Sequence, residues 1–174
     1  MSRNQSAALP VAYVVLRILV ILNWIYGGVV LAILVGLVTA EHWTLTALGV
    51  APSAATGPFV MGMRAIAALG LVAVPLNLAL LRRLLAMVAT GCVGDPFVAS
   101  NAYRLQAVAW LLLAQQLLTL IIALIGKAIS TPAHPLHLDA GFSPGGWLAV
   151  LLTFVLARVF AEGTLMRQDL EGTV

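Results

Sequence analysis

The fold class is decided by the segment Leu16–Val38, which reads LRILVILNWIYGGVVLAILVGLV. Its only charged residue is Arg17, close to its N-terminal end. A helix needs about 20 mostly apolar residues to cross the roughly 30 Å hydrocarbon core of a bilayer. The segment is long enough for this, and it exceeds the roughly 7–15 apolar residues of a signal peptide. We therefore expect it to be a retained transmembrane helix.

Three further apolar stretches have the same character, at Phe59–Leu81, Leu105–Ile125 and about Gly146–Leu165. The segments between them, 39–58, 82–104 and 126–145, are rich in Gly, Pro or polar residues, which is typical of loops. The sequence therefore predicts an all-α integral membrane protein, with residues 1–174 forming a single four-transmembrane-helix bundle. The expected helices are about 13–38, 59–85, 96–126 and 145–167.

The composition agrees with this fold class, because 62% of the residues are hydrophobic and only 9% are charged. Soluble domains contain roughly 45–50% apolar and about 25% charged residues. Lys and Arg number 9 against 6 for Asp and Glu, but they form no basic patch, so we expect no direct contact with nucleic acid. The single cysteine, Cys92, excludes a disulfide within the chain.

The distribution of positive charge predicts the orientation, because Lys and Arg in short loops are retained on the cytoplasmic side. Seven of the nine basic residues fall on or nearest one side: Arg3, Arg17, Arg82, Arg83, Arg104, Arg158 and Arg167. The other two, Arg64 and Lys127, fall on the opposite side. We therefore expect the N-terminus and the C-terminus to be cytoplasmic.

Small residues indicate where the helices pack, since close backbone approach holds helices together in lipid. In the first helix they recur every four residues, at Gly28, Ala32 and Gly36. In the second helix one face carries Ala67, Gly70, Val74 and Asn77. We expect both faces to pack within the monomer, although a homo-oligomer remains open.

A charged pair in the fourth helix is the most informative polar feature. Arg158 and Glu162 are four residues apart and therefore project from one helical face. Arg158 lies about 16 Å along the helix from Trp147, near the middle of the hydrocarbon. Such residues usually face the bundle interior. The alternative is a helix that begins earlier, near Phe142, with Arg158 snorkelling to the inner interface.

If Arg158 and Glu162 face the bundle interior, they indicate a polar ligand pocket that opens to the cytoplasm. Its members would be the charged pair and the intramembrane amides, namely Asn23, Asn77, Gln116, Arg158 and Glu162. No cofactor is indicated, and no nucleophile, base or paired carboxylates occur in a catalytic pattern, so we do not expect an enzyme. The motif His134-x-x-His137-x-Asp139 sits in a loop, which is too little preorganisation for a metal site.

The segment 82–104, which we expect on the cytoplasmic side, contains a strong signal for the start of a helix. Asp95 is the N-cap and Pro96 occupies the first helical position. The first turns of the third helix would then precede its apolar run and form an exposed polar collar. A solvated helix end is the alternative to a binding surface. The residues that we expect to contact a cytoplasmic partner are Asp95, Phe97, Asn101, Arg104, Asp169 and Glu171.

Two segments resemble a known family. They are GDPFVASNAYRLQAVAW, from Gly94 to Trp110, and VFAEGTLMRQDLEGTV, from Val159 to Val174. Both are similar to the bacterial four-helix membrane family called domain of unknown function 2975 (DUF2975). The tail pattern of that family is matched at Phe160, Gly163, Asp169, Thr173 and Val174, and Met166 departs from it where the family has Leu.

The resemblance implies a multi-pass protein of the bacterial inner membrane that accompanies a small helix-turn-helix regulator, and it supplies no catalytic residues. The leading functional hypothesis is therefore a membrane sensor or tether that regulates a small cytoplasmic partner. The alternatives are a small-molecule or ion transporter, an immunity-type membrane protein, or a structural subunit of a membrane complex.

Overall fold

The computed structural model describes residues 5–50, 57–92, 99–130 and 143–171, and the side chains of residues 10–50, 57–90, 100–130 and 143–166. Within these ranges the chain forms five helices and no strand. The helices are α1 (Gln5–Thr39), α2 (Glu41–Ala47), α3 (Gly57–Cys92), α4 (Ala99–Ile129) and α5 (Pro144–Glu171). The all-α fold class is therefore confirmed.

Four of these helices are long and apolar enough to cross a membrane, as the sequence predicts. The candidate spans are Pro10–Thr39, Gly57–Thr90, Ser100–Ile129 and Pro144–Met166. The span in α3 covers 34 residues, or about 51 Å at 1.5 Å per residue, and therefore exceeds the hydrocarbon thickness. Helix α3 also continues past the predicted end at residue 85, because Ala86, Met87 and Ala89, which favour helices, occupy three of the next four positions.

The sequence analysis missed the short helix α2, which lies in the segment 39–58 that it treated as a loop. The end of α2 is well defined, because Gly49 adopts a positive φ of 77°. Its N–H donates to the Thr46 carbonyl, and the Val50 N–H donates to the Leu45 carbonyl. These two bonds form a Schellman motif, in which a glycine satisfies the last carbonyls of a helix.

The packing divides the chain into two compact units. Unit 1 comprises Met1–Leu22, Leu76–Ala114 and Pro144–Val174, and unit 2 comprises Asn23–Pro75 and Gln115–Ser143. Of the eight basic residues in the described part of the chain, six belong to unit 1, and Arg64 and Lys127 belong to unit 2. All six are among the residues predicted on one side of the membrane.

The core of unit 2 is a cluster of fully buried apolar residues: Leu37, Leu45, Phe59 and Val60. The partly buried side chains of Ile33, Val50, Met63 and Ile129 pack against it. Helix α2 contributes Leu45 to this cluster, which explains why a short helix without a side-chain N-cap is retained here. Tertiary packing provides most of the stability of short helices.

Close backbone approaches surround this core. A Cβ atom added at Gly36 would lie 2.5 Å from Thr44 Oγ1, and one added at Gly62 would lie 2.5 Å from Ile129 Cγ2. Both distances are shorter than van der Waals contact permits. At Gly36 and Gly62, unit 2 is therefore packed so closely that a methyl group does not fit.

The predicted small-residue ridge of α1 is only partly correct. Gly36 packs against Thr44, but a Cβ added at Gly28 would meet nothing within 4 Å, and Ala32 is exposed. The residue that approaches α3 is Gly27, whose added Cβ would lie 3.1 Å from Val74 Cγ1. Gly27 and Gly36 are nine residues apart, which is two and a half helical turns, so they lie on opposite sides of α1 and contact different helices, α3 and α2.

The predicted packing face of α3 is confirmed where it lies in unit 2, since Ala67, Gly70 and Val74 are all buried there. Asn77, the fourth member, belongs to unit 1 and is half-buried. Elsewhere in unit 1, helix α5 exposes a row of large apolar side chains: Leu148, Leu151, Leu152, Val155, Leu156 and Val159. An apolar surface of this extent is expected of a helix in contact with lipid.

Candidate functional site

Arg64 forms the most extensive side-chain contact in unit 2. Its Nε and Nη2 donate to the Leu37 carbonyl oxygen at 3.0 and 2.7 Å, and Nη2 also donates to Glu41 Oε2 at 2.8 Å. Leu37 lies in the last turn of α1, where carbonyl groups lack an intrahelical partner. Arg64 therefore caps α1 and joins it to α2 and α3. We call this group the Arg64 clasp.

The clasp has a structural role, and sequence reasoning missed it because its members are 23 and 27 residues apart.

Asn23 does not provide a free amide for a ligand. Its side chain is buried, and its Nδ2 donates to the Val74 carbonyl oxygen at 3.1 Å within unit 2. Gln116, in the same unit, is half-buried. Its neighbour Gln115, which the sequence analysis did not select, has a buried Oε1 without a hydrogen-bond partner among the described residues.

Asn101 and Arg104 do not form the exposed collar that the sequence predicts. Asn101 is 2% exposed, and its Oδ1 accepts hydrogen bonds from Thr90 Oγ1 and from Arg104 Nη1, each at 3.1 Å. Arg104 Nη1 also reaches the Ala86 carbonyl oxygen at 3.4 Å. These residues join α3 to α4 in unit 1, because α3 extends far enough to cover the start of α4.

Arg158 and Glu162 form the predicted ion pair, with 2.7 Å between Arg158 Nε and Glu162 Oε1. The pair does not point into a packed interior, however, since the two side chains are 78% and 55% exposed. The interior position that the sequence predicts for these two residues is therefore not what the structure shows. The physical reason is that Ala157 and Thr164, rather than Arg158, occupy the buried face of α5.

A groove opens beside this pair, between α4 and α5 in unit 1. Its volume is about 560 Å³, and it is lined by Ala102, Tyr103, Gln106, Phe154, Ala157, Arg158, Ala161, Thr164 and Leu165. Alanines at three of these positions leave space that larger side chains would fill. The volume lies within the roughly 300–1,000 Å³ range of small-ligand sites.

One end of the groove is closed by an aromatic pair. Phe154 and Trp110 meet edge to face, with 5.2 Å between ring centroids and an interplanar angle of 88°. Such contacts are stabilising beyond the area that they bury. The groove therefore has an aromatic end at Phe154 and a charged wall at Arg158, one helical turn further along α5.

The sequence contained a signal for this groove, because Ala157 and Ala161 are four residues apart in α5. The small-residue faces predicted above lie only in the first two helices. What the sequence does not provide is the opposing wall from α4, since no pattern relates Ala102 or Gln106 to α5. Only the packing of the two helices brings these residues together.

Several predicted site residues lie outside the described part of the chain. Asp95 and Phe97 belong to that group, as do His134, His137 and Asp139 of the outer-loop motif. Asp169 and Glu171 lie in α5, but their side chains are not described. Among the described residues no group of His, Cys, Asp or Glu is placed to hold a metal ion.

Comparison with known proteins identifies no relative: no family model, no curated protein and no solved structure matches the chain. The resemblance to DUF2975 therefore stays a prediction.

Proposed function

We propose that the protein is a multi-pass membrane sensor or tether that regulates a small cytoplasmic partner, and that the α4–α5 groove receives its signal. The observation that carries this proposal is the groove itself, a cavity of about 560 Å³ with a charged residue in its wall. A helix pair that served only to fill the membrane would close such a space, because dispersion contacts hold membrane helices together.

Helix α5 offers a physical connection between the groove and a partner. The helix runs to Glu171, and from Arg167 onward its residues are mostly polar, which favours a position outside the hydrocarbon core. A ligand that moves α5 on binding would also move this extension. In this proposal the extension, with Asp169 and Glu171, is the partner-binding surface, and the resemblance to DUF2975 favours a small helix-turn-helix regulator as the partner.

The positive-inside rule supports a cytoplasmic position for this extension, since six of the eight basic residues in the described part of the chain belong to unit 1. We propose on this basis that both termini are cytoplasmic and that the membrane is the inner membrane of a bacterium. The transporter alternative receives less support, because Arg158 and Glu162 lie on the surface and do not line an interior path.

The test is affinity capture of the tagged protein from native membranes in mild detergent, followed by mass spectrometry. We expect a small DNA-binding protein in near-equal amount, and we expect Asp169→Lys to reduce its recovery at least several-fold. Lys127→Glu, a charge reversal in unit 2, is the matched control and should leave recovery unchanged. Arg104→Glu is unsuitable, because it would disrupt the contacts with Asn101 and Thr90.

Two results would contradict the proposal. Recovery of the protein alone would show that it binds no such partner. Equal recovery of the partner with Asp169→Lys would show that the α5 extension is not the binding surface. A stable set of co-purifying membrane proteins would instead favour the structural subunit.

A further inference from the structure

The groove has a chemical order along α5. Phe154, paired with Trp110, and Arg158, one turn later, both line the groove. Glu162, one turn after Arg158, is not a lining residue and lies beside the groove through its ion pair with Arg158. The next charged residue of α5 is Arg167, and along the helix Arg158 lies about 14 Å and Glu162 about 8 Å before it. From the inside of the membrane toward its surface, the order is therefore apolar, cationic, anionic.

Arg158 has unused hydrogen-bonding capacity at this position. Its Nε is held by Glu162, but its two Nη nitrogens have no hydrogen-bond partner among the described residues. A guanidinium group presents five N–H donors in a planar fork, which suits two oxygens of a phosphate group. The contact with Glu162 also fixes the side chain, so a phosphate would meet a positioned donor.

Glu162 has the complementary capacity. One carboxylate oxygen accepts from Arg158, and the second, Oε2, has no hydrogen-bond partner among the described residues. A carboxylate accepts strong hydrogen bonds from an ammonium group. The pair as a whole is neutral, so it matches a ligand that carries one charge of each sign better than it matches a simple anion.

We propose that the groove binds a phospholipid whose headgroup contains a phosphate and a primary ammonium. The phosphate lies on the Nη nitrogens of Arg158, the ammonium lies on Glu162, and an acyl chain lies over Ala157 toward Phe154. Phospholipids in a bilayer have this same order, with acyl chains inside, then phosphate, then amine. This inference rests on the proposed function, since it names the ligand of the groove that receives the signal.

The assignment does not depend on the orientation of the protein. Whichever leaflet surrounds the end of α5, Glu162 is nearer to the membrane surface than Arg158. Headgroup chemistry decides among lipids: a choline group has no N–H to donate to Glu162, and a glycerol headgroup has no positive charge. A phosphatidylethanolamine is therefore the preferred occupant.

The experiment measures lipid retention by native mass spectrometry of the purified chain. The protein is equilibrated in detergent with equimolar phosphatidylethanolamine, phosphatidylcholine and phosphatidylglycerol that carry the same acyl chains. We expect the ethanolamine lipid to be retained about tenfold more than either of the others, as one lost charge-assisted hydrogen bond would predict. Equal retention of the three lipids would overturn the proposal.

The decisive variant exchanges the two charges, Arg158→Glu together with Glu162→Arg. The i, i+4 ion pair survives in this variant, so the helix is preserved, but the order of charges is reversed relative to the lipid. We expect the preference to fall to within about twofold. Undiminished preference in the exchanged variant would show that charge order does not select the lipid and would overturn the proposal.

A second variant covers the case in which the exchanged chain fails to fold. Glu162→Gln keeps the size of the side chain and removes the site for the ammonium, so the preference over phosphatidylglycerol should disappear. A preserved preference would again contradict the proposal. These measurements use the isolated chain and are therefore independent of partner capture. A captured partner without a lipid preference would overturn only the proposed ligand. A lipid preference without a captured partner would overturn only the proposed partner.

Discussion

The two units pack similar helices with different closeness. In unit 2 the helices approach until glycines at 36 and 62 have no room for a methyl group, and the Arg64 clasp joins three helices. In unit 1 alanines at equivalent small positions leave a groove of about 560 Å³, and a charged pair lies exposed beside it. Small residues allow close contact between helices in unit 2, whereas in unit 1 they line an open groove.

This difference teaches that small residues in membrane helices do not identify a packing face by themselves. Gly62 faces Ile129 closely, whereas Ala161 faces open space in the groove. The side chains on the opposing helix decide between these outcomes. Stability should therefore be most sensitive to changes in unit 2, and ligand binding to changes in unit 1.

The largest loss of stability is expected for Arg64→Leu. This change leaves the Leu37 carbonyl without its two donors and should lower the free energy of unfolding by about 1.5–3 kcal/mol. Glu41→Gln removes only a half-exposed ion pair and should lower it by less than about 1 kcal/mol. Unfolding by sodium dodecyl sulfate in mixed micelles, followed by circular dichroism, measures both. Equal losses would mean that the ion pair, and not the cap, holds the clasp together.

A smaller loss is expected for Gly62→Ala. The added Cβ would lie 2.5 Å from Ile129 Cγ2, so overpacking should exceed the better helix propensity of alanine and give a net loss of about 1 kcal/mol. Gly28→Ala is the control in open space, and it should raise the free energy of unfolding by up to about 1 kcal/mol. The same denaturation assay applies. If both variants behave alike, the close approach of α3 and α4 in unit 2 does not limit stability.

The smallest effect on stability is expected for Ala161→Leu in the groove. The larger side chain enters open space, so the free energy of unfolding should change by no more than about 0.5 kcal/mol. Lipid retention should nevertheless fall several-fold, because the leucine fills the part of the groove beside Arg158 where the headgroup lies. Native mass spectrometry and detergent denaturation of one preparation measure both. A loss of stability as large as that of Gly62→Ala would show that unit 1 is packed as tightly as unit 2.

The sequence alone determined the fold class, because the length and apolarity of a span are local properties. The segment Leu16–Val38 needs a membrane whatever its neighbours are, and the ion pair of Arg158 and Glu162 follows from helical spacing. The Schellman motif at Gly49 was also readable, although α2 was missed. In each of these cases the decisive contact is with lipid or with residues less than two helical turns away.

Only the tertiary structure decided which face of each helix is covered. Asn101 was expected on the surface and is buried against Thr90, while Arg158 was expected inside and is exposed. Both errors have the same physical cause. Helical periodicity fixes the angle between two residues on one helix, but the rotation of that helix toward its neighbours depends on distant residues. The Arg64 clasp and the groove depend on those neighbours, which is why the sequence predicts their components and not their assembly.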